Sequence, residues 1–205
     1  MLEQLLGSGT DTLHAARGAP IFAAGEFSKI ALVGTGVIRA FVTTPLGRQL
    51  TIGYARAGDL IGIAPALAHT NEWKAEAVTD VTLTVLRVDQ LRQAIEESPE
   101  LAWEVAEHLA RLATDALHAI ADEAGRPTTV RIARHLREMA LRGVGGRLVA
   151  HISHQRLANA AGTVREVVSR ELNALRRDGI VSTTAGSVTI IDEDRLASLA
   201  SGRGY

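Results

Sequence analysis

The sequence predicts an α+β chain in three parts: a small β-roll, a long helix, and a C-terminal helix–turn–helix with a two-stranded wing. Three observations carry this. Short β-branched or aromatic runs parted by glycine turns fill the first half. A stretch with alternating three- and four-residue apolar steps follows. The last part has strand, helix, glycine turn, helix and hairpin signals in that order.

The roll is read from Ile21–Ala23, Lys29–Val33, Val37–Val42, Gln49–Tyr54 and Val81–Leu86. Turns at Ala24-Gly25, Gly34-Thr35-Gly36, Pro45-Leu46-Gly47 and Ala57-Gly58-Asp59 separate its strands. Val88–Glu97 then reads as a short helix. Ser98 suits the N-cap and Pro99 the first turn of a long helix, which Gly125-Arg126-Pro127 ends.

That helix carries two stripes. One is Ala102, Val105, Leu109, Leu112, Ala116 and Ala119; the other is Ala106, Ala110, Ala113, Leu117, Ile120 and Ala124. Both have coiled-coil spacing, so the helix needs two partners. The expectation is a homodimer of near-parallel helices, with one stripe on the roll and Val105, Leu109, Leu112, Ala116 and Ala119 assigned to the dimer interface.

A helix over about Thr128 to Leu141 and a Gly143-Val144-Gly145-Gly146 loop lead to the last unit. Ser153 suits the N-cap of a helix over His154–Ala160, Gly162 makes the turn, and Thr163 opens a second helix from Val164 to Asp178. Thr163-Val164-Arg165-Glu166 fits a capping box. Arg165, Glu166, Ser169, Arg170 and Asn173 share an arc of about 140° on this helix. Arginine suits guanine O6 and N7, glutamate suits cytosine N4, and serine suits either kind of edge, which is the chemistry of a major-groove reader. Ile180–Thr183 and Ser187–Ile190 around Ala185-Gly186 form the wing.

Composition narrows the function classes. The 205 residues are 46% hydrophobic, and the charges nearly cancel at −1. Residues 126–205 nonetheless hold 13 arginines against 7 acids, net +6, which leaves −7 for residues 1–125. Only the C-terminal part is suited to a polyanion. No apolar run is long enough to span a membrane, and the acidic Met1-Leu2-Glu3-Gln4 start lacks a signal-peptide pattern. The expectation is a cytoplasmic protein with no membrane contact. With no cysteine, disulfides, thiolate zinc sites and cysteine-ligated iron–sulfur clusters are excluded. No cofactor and no metal site are expected.

Ile152–Ala158, Gly162–Arg170 and Leu175–Val181 resemble the winged helix of the CRP/FNR family of bacterial transcription regulators. The resemblance extends over nearly the whole chain. It implies a cyclic-nucleotide-binding-like β-roll sensor (1–97), a long dimerisation helix (98–125) and a winged helix–turn–helix DNA-binding domain (126–205). It further implies a non-enzymatic regulator that binds a palindromic site in double-stranded DNA as a homodimer and contacts RNA polymerase. Positions matching Arg165, Glu166, Ser169 and Arg170 read bases in one or other branch of the family. Gln155 falls where the family contacts phosphate, His154 where an arginine is sometimes found, and Thr163 completes the expected DNA-binding set. Val164 and Val167 stand where some members have phosphate-binding hydroxyls. The resemblance also implies that the hinge from Gly125 to Pro127 sets the spacing of two recognition helices.

The roll departs from the cyclic-nucleotide pattern. Gly58-Asp59-Leu60-Ile61-Gly62 is kept, but Ile63 stands where a ribose-binding glutamate is expected. The phosphate-binding Arg-Ser pair aligns near Asn71-Glu72, with Glu72, Lys74 and Glu76 as the local charges. Base-contacting helix positions align with Ala116 and Leu117. Ala64 stands where the carbon-monoxide sensor has its haem histidine. The expectation is a mostly apolar effector pocket at Leu60, Ile63, Trp73, Ala116 and Leu117, for a small molecule other than cyclic AMP. The alternative is a cupin-type enzyme with an accessory helical domain. It would need clustered metal-binding histidines, whereas only His14 and His69 fall in the roll.

Overall fold

A computed structural model describes residues 11–22, 29–45, 47–68, 73–123 and 125–202. The chain forms two compact units. One holds the residues up to Val42 with Ile52–Leu117; the other holds Thr43–Thr51 with the residues from His118 on.

The first unit carries strands β1 (Asp11–Ala15), β2 (Lys29–Thr35), β3 (Val37–Thr43), β5 (Leu60–Ile61), β6 (Trp73–Ala77) and β7 (Val81–Arg87). β4 (Gln49–Arg56) runs from one unit into the other. One sheet has the order β1-β7-β2-β5 and the other β4-β3-β6. β2 explains the layering. Ile30, Ala31, Leu32 and Val33 are all buried, because alternate side chains serve two different cores. Ala31 and Val33 join Ile38, Ile61, Val81 and Leu83 between the sheets. Ile30 and Leu32 join Leu60 and Leu86 under the helices. Only Gly36 separates β2 from β3; at its φ of +87° an added Cβ would lie 2.3 Å from the Asp80 carbonyl oxygen.

Helices α1 (Ile63–Ala68) and α2 (Val88–Glu97) and α3 (Pro99–Glu123) as far as Leu117 complete this part; from His118 on, α3 belongs to the second unit. Ser98 caps α3 as expected, its Oγ accepting from the Leu101 N–H at 3.2 Å. Leu101 and Val105 are buried in the second core, with Leu109 and Leu112 packed on it. The stripe assigned to the dimer is the one that packs within the chain. Val105, Leu109, Leu112 and Ala116 lie on the covered side of the helix, and Ala119 is buried as well. The other stripe is the exposed one: Ala106, Ala110 and Ala113, with Leu117 65% and Ile120 60% exposed. Trp103, 68% exposed, continues it one step toward the N-terminus. Between Leu101 and Leu112 the reason is size: Leu101, Val105, Leu109 and Leu112 fill the second core, and Ala106, Ala110 and Ala113 are left outside.

Strands β1, β5 and β6 and helix α1 were not expected. Ile21 and Phe22 are not in a strand, although Pro20 bridges Glu76 and the Ile21 N–H donates to the Ala75 carbonyl. Ala23 lies outside the described residues. Arg39 is 2% exposed, pairs with Glu76 at 3.0 Å and stacks 4.5 Å from the Phe41 ring centroid.

The second unit holds α4 (Thr128–Met139), α5 (His154–Ala160), α6 (Arg165–Arg177) and α7 (Glu193–Ala200). Its sheet has the order β10-β11-β9-β8, from β8 (Leu141–Arg142), β9 (Leu148–Ala150), β10 (Val181–Thr184) and β11 (Ser187–Ile190). α4 stops before Leu141 because Leu141 pairs with Val149 in the sheet. α7, absent from the sequence reading, packs on α4 and is capped by Asp192, whose Oδ1 accepts from the Arg195 N–H. Ile132, Leu136, Leu157, Val168, Leu172 and Leu196 are buried in this unit.

His108 on α3 is 7% exposed. Burial holds its imidazole below the usual histidine range; Asp59 and the Leu60 backbone oppose this and Arg111 adds to it. As pH falls through the ordinary histidine value, the unfolded chain takes up a proton that the folded chain refuses. Stability is therefore full above that value and declines below it. Between about pH 7.5 and pH 5.5, thermal melts should show the wild type losing stability that His108→Leu keeps. A parallel decline in both proteins would contradict a buried neutral imidazole.

Candidate functional site

The helix–turn–helix is built by local bonds. The Ser153 Oγ accepts from the Arg156 N–H and starts α5. Gly162 takes the turn at a φ of +59°. Thr163 donates its N–H to the Ala158 carbonyl at 2.9 Å, so it still belongs to the turn. α6 consequently begins later than expected. Its N-cap is Val164, in extended backbone with no side-chain cap. The capping box from Thr163 to Glu166 is not formed, which leaves Glu166 exposed on the first turn of α6.

Val168, Leu172 and Leu175 bury one face of α6. Arg165, Glu166, Arg170 and Asn173 are exposed on the other. Ser169, expected beside them, is partly buried, and its Oγ lies 2.8 Å from His154 Nδ1. The two side chains bond one another and lock α5 to α6. Gln155 is exposed and donates to Asn159 Oδ1.

Glu171 was not singled out by sequence. It is 16% exposed and accepts from Thr129 Oγ1 on α4 at 2.6 Å. The Arg170 Nε and Nη2 groups donate to its other oxygen at 3.2 and 3.1 Å. The guanidinium, itself 71% exposed, is thus aimed from a fixed carboxylate. Helical spacing gives no hint of this, because neighbours in sequence do not share a face. Two further bonds in this unit cross more than a hundred residues. Arg48 Nη2 donates to the Gly162 carbonyl and Thr51 Oγ1 to the Ala160 carbonyl, each at 2.9 Å.

The first unit contains a cavity of about 430 Å³. Leu60, Ile63, Trp73 and Ala116 line it together. Leu117 does not: it lies on the exposed stripe of α3, because it is one residue, about 100°, on from Ala116. His108 also lines the cavity, a role that its place among scattered histidines did not reveal.

This architecture is that of a transcription regulator of helix–turn–helix type, and comparison with known proteins agrees. The cyclic nucleotide-binding domain family matches residues 12–98, and the Crp-like helix-turn-helix domain family matches residues 130–199. The cyclic AMP receptor protein of Thermus thermophilus is 32% identical over 191 residues, 91% of this chain and 86% of that protein. The transcriptional regulator SdrP of the same organism is 29% identical over 173 residues, 82% of each chain. A solved CRP/FNR-family regulator from Thermus thermophilus superposes with a TM-score of 0.75 at 28% identity, covering 95% of this chain and all of that one. The chain belongs to the CRP/FNR family. Its relatives are regulators, which sets the cupin-type enzyme reading aside.

Arg170→Ala should cost about 1–3 kcal/mol on the preferred sequence and relax preference at one base position, measured by competition between variant duplexes. Equal weakening on all sequences would make Arg170 a phosphate contact instead.

Proposed function

We propose that this regulator binds a palindromic site in double-stranded DNA as a homodimer, controlled by a small-molecule effector other than cyclic AMP. The observation that carries the reading is the first half of α6, where Arg165, Glu166 and Arg170 stand exposed on a helix whose opposite face is fixed in a core. The first turns of such a helix are the part that reaches base edges. His154, Gln155 and Thr163 at the start of α5 and in the turn are assigned to backbone contacts, with Ser169 positioned by His154.

Dimerisation is assigned to the exposed stripe of α3, from Trp103 through Leu117 to Ile120. Residues 1–97 then serve as sensor, 98–125 as dimer helix and 126–205 as DNA-binding domain. Two recognition helices must meet major grooves about 34 Å apart, so the site should be an inverted repeat. RNA polymerase is the further partner that family membership suggests.

The cavity of the first unit is the proposed effector site. One relative is named as a cyclic AMP receptor, but here Ile63 is fully buried and apolar in the lining. Asp59 and Asp115 outnumber Arg111 among the charged lining residues, an arrangement unsuited to a cyclic phosphate.

Selection from random duplex DNA with the purified, ligand-free protein tests the reading. It should enrich an inverted repeat with half-sites about one helical turn apart. An asymmetric motif would contradict it; no enrichment by folded, dimeric protein would mean that an effector must first reposition the recognition helices.

A further inference from the structure

The exposed arc of α6 holds an arginine whose guanidinium is engaged by its own neighbour. Arg170 Nε and Nη2 both donate to Glu171 Oε1, at 3.2 and 3.1 Å. The second carboxylate oxygen, Oε2, accepts from Thr129 Oγ1 on α4 at 2.6 Å. Arg170 is 71% exposed and Glu171 only 16%. An ion pair with one partner this exposed adds little to stability, because solvent screens it and the long side chain loses freedom. Its effect is on direction instead. Glu171 is tied to a second helix, and Thr129 stands in the first turn of α4, where the helix dipole also favours a carboxylate. The anchor is therefore fixed by the fold, and only the guanidinium projects into solvent.

The way the pair is made leaves one edge of the guanidinium over. Arginine carries five N–H donors in a planar fork. Its side edge, formed by Nε and Nη2, is taken by Glu171. Its end edge, formed by Nη1 and the second Nη2 hydrogen, is not used by this bond and offers two parallel donors. Two parallel donors are what the O6 and N7 acceptors of guanine require. An arginine without an anchor samples many rotamers and reaches phosphate as readily as a base, and a phosphate carries no sequence information. A carboxylate beside the guanidinium repels a phosphate drawn toward it, whereas a neutral base edge meets no such repulsion.

We infer that Glu171, anchored by Thr129, is a positioning residue that presents the end edge of Arg170 to a single guanine and holds it off the phosphate backbone. The inference rests on the reading of α6 as the helix that reads DNA. It deepens that reading by naming the base and the two residues that fix the choice without touching it. Arg170 alone supplies the donors; Glu171 and Thr129 supply the orientation that makes them selective.

The test has two arms, both on the full-length protein. In the first, the arginine Nε–H groups are isotope-labelled for NMR, and the Arg170 signal is assigned by its loss in Arg170→Ala. That signal should exchange slowly with solvent in the wild type and roughly fivefold faster in Glu171→Ala. Thr129→Val should fall between the two, and Thr129→Ser, which keeps the hydroxyl, should match the wild type. The second arm is competition between duplexes that carry each base in turn at every position of the selected half-site. The wild type should prefer guanine at the Arg170 position. Glu171→Ala should lose that preference by roughly tenfold and keep its preferences elsewhere. In an Arg170→Ala background, Glu171→Ala should alter no further preference. Thermal melts establish that each variant is folded, and the Thr129→Val and Thr129→Ser pair carries the test if Glu171→Ala does not fold.

Equal exchange in the wild type and Glu171→Ala, a loss spread evenly over all positions, or a preference for another base opposite Arg170 would overturn the inference. Its failure is distinguishable from failure of the DNA-reading assignment. If Arg170→Ala weakens all sequences alike, that assignment falls; if Arg170→Ala relaxes one position and Glu171→Ala relaxes none, only the positioning role falls. The first arm contains no DNA and decides the anchoring of Arg170 by itself.

Discussion

A helix with apolar residues on two faces must be covered twice, and the described residues of a single copy cover α3 only once. Leu101, Val105, Leu109 and Leu112 face the roll and close its second core against Ile30, Leu32 and Leu86. Most other features of the first unit depend on that contact. α3 shares with α1 and α2 the roof over the second side of β2, and His108, Leu109 and Leu112 form one wall of the cavity. The opposite stripe, from Trp103 to Ile120, stays in solvent. Its alanines permit close helix approach, and its leucine and isoleucine lose water on contact, which together favour a second copy of the same helix.

The face of α6 proposed to read DNA shows a similar division between frame and instrument. Val168, Leu172 and Leu175 fix α6 in place, while polar bonds aim what projects from it. Thr129 holds Glu171, and Glu171 holds Arg170. His154 holds Ser169. A guanidinium aimed in advance loses less side-chain entropy on binding than a free one, and orientation is what bidentate recognition of guanine requires.

Legibility in the sequence followed the strength of local signals. α2 and α5 were readable to the residue, and α3 and the wing nearly so, because capping serines, glycine turns and apolar spacing are encoded within a few neighbours. β6 was missed because its buried positions are Ala75 and Ala77, which look unremarkable beside valine or isoleucine. α7 was missed although Asp192 and the acids of its first turn signal a helix start. The choice between the two stripes of α3 depended on side-chain volume against a surface that the sequence does not display. Thr163 was a plausible cap, but the turn needed its N–H for Ala158. The partners of Arg170 and the burial of His108 arise from residues brought together only by folding.

Sedimentation velocity of the wild type beside Leu117→Glu/Ile120→Glu tests the central claim, that the exposed stripe of α3 joins two copies. The account predicts a dimeric wild type at micromolar concentration and a folded, monomeric double variant. A monomeric wild type, or a dimer indifferent to two carboxylates in that stripe, would contradict it.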